Sequence, residues 1–167
     1  MTPEKLDAEF REMFARAPGE PLPDLSKFPP ELMEFESPPG TYFDAFPLLL
    51  ISQTSLDSLA RARPQSRFDV RRFRPNFLLD LPRNTPDADE PFPELAWADN
   101  RVQVGSAVLR MTLACPRCVM TTHGFDDLPK DPGIMRTLVK EAGGNLGVGA
   151  TVEQPGTVRV GDALRVE

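Results

Sequence analysis

Proline limits what this chain can fold into more than any other residue, because it occurs 19 times against 11 glycines. It has no amide hydrogen to give to a helix or sheet ladder, so long uninterrupted helices are not expected. Seven prolines lie between Pro18 and Pro39, including the pairs Pro29-Pro30 and Pro38-Pro39, and these favour an extended, irregular connector. Phe28, Leu32, Met33 and Phe35 give that connector apolar anchors, which argues against disorder.

Around the connector the hydrophobic pattern is one of short elements. Thr2 and Pro3 open a helix with Leu6, Phe10, Met13 and Phe14 on one face, ending near Ala17. Phe46–Ile51 is an apolar run of strand length, and Thr54 with Asp57 marks a helix start for residues 56–62. From Phe68 to Leu81 a period of two places Arg72, Arg74, Asn76 and Leu78 on one side and Phe73, Phe77 and Leu79 on the other, with Pro75 forcing an edge or a bulge. Residues 84–94 read as a polar loop; Val102–Val104 and Val108–Leu113 read as strands broken at Gly105-Ser106. Val119–Thr122 looks strand-like. A helix opens at Asp131-Pro132, carries Ile134, Leu138 and Val139, and closes at Gly143-Gly144; strands follow at 148–152, 157–160 and 163–166.

The expected fold is therefore mainly β and barrel-like with two or three short helices. At 167 residues one domain suffices, divided into a helix plus proline-rich connector over 1–37 and a β-rich core over 38–167. A net charge of -6 opposes general nucleic-acid binding, which needs a cationic surface. No apolar run approaches the roughly 20 residues that span a bilayer, and no signal-peptide pattern opens the chain. With only two cysteines, both in one motif, a reducing, cytoplasmic setting is expected and no membrane contact is foreseen.

The densest chemical signal is Cys115-Pro116-Arg117-Cys118. A structural zinc site needs about four protein ligands, and with His123 as the only histidine the remainder would have to be carboxylates. A redox dithiol gains from a helix after the motif, whereas the residues after Cys118 favour a strand. One cysteine acting as a thiolate ligand, its ionised form favoured by Arg117, suits a soft, redox-active metal. Burial of both as small apolar groups is the bland alternative. The second signal is Arg72, Arg74 and Asn76, which suit a phosphate-bearing or heterocyclic ligand, or else a solvated strand face paired with Asp69 and Asp80. His123 reads as a partly exposed loop residue, and Gly143-Gly144-Asn145 as a helix cap.

Four blocks taken in order resemble the molybdenum cofactor sulfurase C-terminal (MOSC) domain family: Phe43–Leu48, Phe68–Asn76, Cys115–Thr122 and Pro155–Asp162. The likeness runs from about Pro38 to the end. It implies a β-barrel-like domain that holds molybdenum cofactor (molybdopterin), as in the amidoxime-reducing proteins. Cys118 falls on the molybdenum ligand and catalytic centre, Arg74, Pro75 and Asn76 on the family's cofactor-contacting Arg-Pro-Asn, and Arg72 and Arg117 beside them as further cofactor-binding candidates. Pro116 stands where those proteins have a serine that contacts the cofactor, so that contact is not expected. The family's opening Tyr-Pro-Val-Lys-Ser-like motif has no match, and the domain is expected to be incomplete at its N-terminal side.

By the same resemblance the function is that of a molybdenum-dependent oxidoreductase acting on small N-hydroxylated substrates, with an iron–sulfur or flavin protein as electron donor. One alternative is a sulfur carrier holding a persulfide on Cys118, received from a pyridoxal-phosphate-dependent cysteine desulfurase. The other is an inactive truncated domain.

Overall fold

The structure is a computed structural model, and it describes residues 2–26, 28, 46–82 and 89–167. The two proline pairs of the connector, Leu32, Met33 and Phe35, Phe43-Asp44-Ala45 of the first block, and residues 84–88 of the polar loop lie outside these.

Six strands form one mixed sheet, curled into a half-barrel: β1 (Leu48–Ser52), β2 (Phe77–Leu79), β3 (Arg101–Val104), β4 (Ala107–Pro116), β5 (Asn145–Gln154) and β6 (Leu164–Val166). Their order is β2-β1-β5-β4-β3-β6, so β2 and β6 are the edges. Among the described residues three helices accompany it: α1 (Pro3–Met13), α2 (Gln53–Ala62) and α3 (Gly133–Ala142). The mainly β, barrel-like reading with short helices describes this architecture.

β1 lies between two apolar layers, and its alternation feeds both. Leu50 packs with Leu79, Trp97, Val102, Leu109, Met111 and Val148, while Ile51 packs with Leu59, Phe73, Ile134, Leu138 and Leu146 under α2 and α3. Each such fully buried aliphatic side chain contributes about 1.5–3 kcal/mol. β1 pairs in parallel with β2, and the return path that a parallel pair requires is supplied by α2.

Leu146 and Val148 have the same parity yet enter different layers. The change of face comes from a bulge: Ala114 pairs with Val148 but Pro116 pairs with Asn145, so β5 carries one residue more than β4 between these pairs. Gly147 sits in the bulge with φ 79, and a Cβ there would lie 2.6 Å from the Leu50 carbonyl oxygen. Only glycine fits. The bulge sets where the end of β4, with its cysteine motif, lies against the turn that precedes β5.

Several boundaries differ from the sequence reading. α1 stops at Met13, four residues early, because the chain turns at Ala15 with φ 51 and Arg16 reaches back to the α3 cap through its Nη2 to the Gly143 carbonyl. α2 begins at Gln53 and is capped by Ser52, whose hydroxyl accepts from the Ser55 amide, instead of starting beyond Thr54. That same serine also donates to Glu94 Oε2, a carboxylate buried in the short 3₁₀ helix Pro93–Trp97, as does the Ser55 hydroxyl. The β3–β4 hairpin and the Gly143 cap of α3 fall where the sequence placed them. The expected strand at 157–160 is absent: Thr157 exchanges hydrogen bonds with Ser106 at the hairpin tip and the chain then turns at Gly161.

Candidate functional site

The stretch from Phe68 to Asn76 is no strand, and Asp69 is the reason. Its carboxylate accepts from the Arg71 amide and starts a 3₁₀ turn over Val70–Arg72, a local bond that competes with any sheet ladder. The amides of Phe73 and Arg74 both donate back to the Val70 carbonyl, and Arg74 adopts φ 53. A left-handed non-glycine residue just before a proline costs on the order of 1–2 kcal/mol. Such strain is characteristic of binding and catalytic segments. The chain becomes extended only at Asn76, whose amide donates to the Leu49 carbonyl and whose Oδ1 accepts from the Leu49 amide, leaving its side-chain NH₂ uncommitted among the described residues.

This turn separates the two arginines that the period-two reading had placed side by side. Arg72 is buried, and its guanidinium donates to the carbonyls of Arg67, Thr121, His123 and Pro129. It fastens the loop after the cysteine motif to this segment and presents no free donor fork to a ligand. Arg74 is exposed, and its side chain makes no hydrogen bond or ion pair among the described residues. An open cleft of about 440 Å³ is lined by Val70, Arg71, Arg74, Pro75, Asn76 and Leu78.

Charge in the cleft is unevenly balanced. Arg71 pairs with Asp69 at 2.8 Å and with Asp127 at 2.9 Å. Its hydrogen bonds hold the Asp69 carboxyl down at about 2, and the same guanidinium, with Arg67, lowers Asp127. The two carboxylates in turn raise Arg71 further. Arg71 is thus neutralised, and among the described residues Arg74 is the unbalanced cation at the cleft. Sequence reasoning missed Arg71 as a lining residue; the signal was Asp69 two positions before it.

The cysteine motif meets this segment through Arg117. Cys115 and Pro116 end β4, and the ladder runs on one step through the Arg117 amide to the Gly144 carbonyl. Cys118 caps a 3₁₀ turn over Val119–Thr122, where a strand was expected. The hydroxyls of Thr121 and Thr122 donate three residues back, to the carbonyls of Cys118 and Val119, which makes the turn. Both cysteines are free and half-buried, and the Cys118 sulfur forms no hydrogen bond among the described residues. Arg117 Nη1 donates to the Cys115 sulfur at 3.2 Å, Nη2 to the Phe73 carbonyl at 2.9 Å, and the guanidinium lies over the Phe73 ring. Its guanidinium thus meets Cys115, and among the described residues no hydrogen bond joins it to the neighbouring Cys118 sulfur. His123 is exposed beyond the turn.

One side chain therefore joins the residue before Arg74 to the residue before Cys118. The stretch that holds these segments, residues 38–165, matches the MOSC domain family. The chain belongs to the MOSC domain family. This MOSC domain is 32% identical over 139 residues to "Mitochondrial amidoxime-reducing component 1" of Mus musculus, covering 74% of the chain and 37% of the relative. It is 33% identical over 136 residues to "Mitochondrial amidoxime-reducing component 1" of Xenopus laevis, again 74% and 37%, and 30% identical over 112 residues to "Mitochondrial amidoxime reducing component 2" of Bos taurus, 67% and 28%. The chain thus spans just over a third of the length of the first of these relatives. No described helix is long and apolar enough to cross a membrane.

The donors of this MOSC domain fit a molybdenum-bearing pterin. Among the described residues Cys118 offers an uncommitted soft sulfur, Arg74 an uncommitted guanidinium suited to a phosphate, and Asn76 a free amide donor beside an open cleft. Among the described residues no group of three or more metal-binding side chains gathers, so a cage made of protein ligands alone is not what these residues build.

Proposed function

We propose that this MOSC domain binds molybdenum cofactor between the Arg74–Asn76 turn and the Cys118 loop, and serves as an oxidoreductase domain acting on small N-hydroxylated substrates. The observation that carries the reading is the Arg117 Nη2 bond to the Phe73 carbonyl, which ties the two segments at 2.9 Å. When bound, the group supplies a redox-active metal for oxygen-atom transfer. The chain's own residues hold and orient it. Cys118 provides the sulfur for the metal. Arg74, with no carboxylate partner among the described residues, provides positive charge for a phosphate, and Asn76 donates to a heterocycle while its Oδ1 stays fixed on β1. Arg71, already neutralised by Asp69 and Asp127, adds little charge and shapes the cleft. An iron–sulfur or flavin protein would supply electrons.

Elemental analysis for molybdenum and fluorescence analysis for pterin, on the purified chain and on Cys118→Ala, tests the reading. Stoichiometric metal and pterin, with the metal lost in Cys118→Ala, is the expected result. Metal-free protein carrying a persulfide on Cys118 would instead make it a sulfur carrier fed by a cysteine desulfurase, and folded chain with neither would overturn both.

A further inference from the structure

We infer that Arg117 is a positioning residue that sets the placement of Arg74 relative to Cys118, acting through its fork of hydrogen bonds and not through its charge. The inference rests on the cofactor reading above and concerns how that site is held together. Four contacts converge on this side chain and its amide: the backbone N–H on the Gly144 carbonyl at 2.9 Å, Nη1 on the Cys115 sulfur, Nη2 on the Phe73 carbonyl, and the guanidinium carbon 5.8 Å from the centre of the Phe73 ring. Phe73 is itself buried in the layer beneath α2 and α3, so the fork is anchored to rigid core.

The arrangement is not the one that stability alone would select. Arg117 Nε is buried with no partner among the described residues, an orphan donor that costs stability. A planar guanidinium that must meet the Phe73 carbonyl and the Cys115 sulfur at once leaves Nε turned away, so the cost follows from the bridge. Across that bridge, Arg74 is one peptide bond from Phe73, and Cys118 one peptide bond from Arg117. Arg74 has no other tether among the described residues than its amide bond to Val70 and the strained φ of 53. Removing the bridge frees that turn to relax.

Two readouts test this on the full chain. In the cofactor-free chain, amide hydrogen exchange at Phe73, Arg74 and Asn76 should quicken by about tenfold or more in Arg117→Ala, with the β3–β4 hairpin unchanged. Arg117→Lys should quicken the same amides, because one ammonium cannot make both ends of the fork. In binding of isolated molybdenum cofactor, followed by its pterin fluorescence, Arg74→Ala and Arg117→Ala should each weaken affinity by about tenfold. The double variant should lose about tenfold and not the roughly hundredfold of independent sites.

Full recovery of both readouts by lysine would show that charge and not the fork matters, and would overturn the inference, as would additive losses or uniform quickening across the hairpin. If the wild-type chain binds no cofactor, the functional reading fails while the exchange result still decides the bridge. If it binds cofactor and the losses are additive, the bridge fails and the reading stands.

Discussion

Arg72 and Arg74 lie two residues apart in one sequence block and end in opposite situations. The first is buried with its donors spread over four backbone carbonyls, and the second is exposed with none engaged among the described residues. The difference arises from a local turn nucleated by Asp69 and closed on Val70, which rotates the chain between them. Arg72 belongs to the scaffold: it holds the loop that follows Cys118. Arg74 lines the cleft of the proposed site, on a backbone held in an unfavourable conformation. Identical side chains thus take separate duties because of one bond from a neighbouring carboxylate.

The sharpest break of this contrast is a pair of alanine variants read by urea unfolding. Arg72→Ala should cost about 3 kcal/mol or more, since it strips buried carbonyls of a charged donor, whereas Arg74→Ala should change stability by less than about 0.5 kcal/mol. Equal effects would end the distinction between scaffold and site. Next in size, Gly147→Ala should destabilise by about 2–3 kcal/mol, since its Cβ would press on the Leu50 carbonyl at a positive φ. A neutral result would mean the bulge that sets the end of β4 is not needed.

A smaller effect of opposite sign is expected for Arg74→Gly. Relief of the left-handed strain should stabilise the fold by roughly 0.5–1 kcal/mol while weakening cofactor retention, and a fold left unchanged or destabilised would remove the claim of strain. The smallest effect is on acid stability. The Asp69 carboxyl lies at about 2 in the fold against 3.8 as its ordinary value, because of Arg71. Its folded pKa being depressed, the unfolded chain binds the proton more readily, so its contribution is complete above the ordinary value and is lost as pH falls towards 2. Asp69→Asn should flatten the slope of stability with pH in that window only, measured by thermal melts at pH 2–5. A slope unaltered by the substitution would detach Arg71 from the turn.

How far the sequence revealed this depended on which interactions decide each segment. The β3–β4 hairpin and the α3 cap follow from alternation around Gly105-Ser106 and from a glycine stop, both local signals, and both are where they were expected. Phe68–Leu81 carries the same alternation, yet only Phe77–Leu79 is strand, because an aspartate side chain and a proline outweigh the pattern. Val119–Thr122 has β-branched residues whose hydroxyls close a 3₁₀ turn instead.

The motif residues Cys118, Arg74, Asn76 and Arg117 were legible as candidates, but the groups that Arg117 meets were not. Adjacency along the chain leaves open which cysteine Arg117 serves, whereas an extended backbone sets residues i and i+2 on one side, and the guanidinium meets Cys115. Its other partner, Phe73, is 44 positions away, and no local pattern announces such a contact.

The central claim is that the sulfur of Cys118 and the arginine turn grip one and the same molybdenum-bearing ligand. X-ray absorption at the molybdenum edge on the purified chain tests it most directly. The account predicts one sulfur neighbour beyond the dithiolene pair in the wild-type chain, absent in Cys118→Ser, and a lowered molybdenum content in Arg74→Ala with the sulfur count kept. Molybdenum bound with an unaltered sulfur count in Cys118→Ser would contradict it.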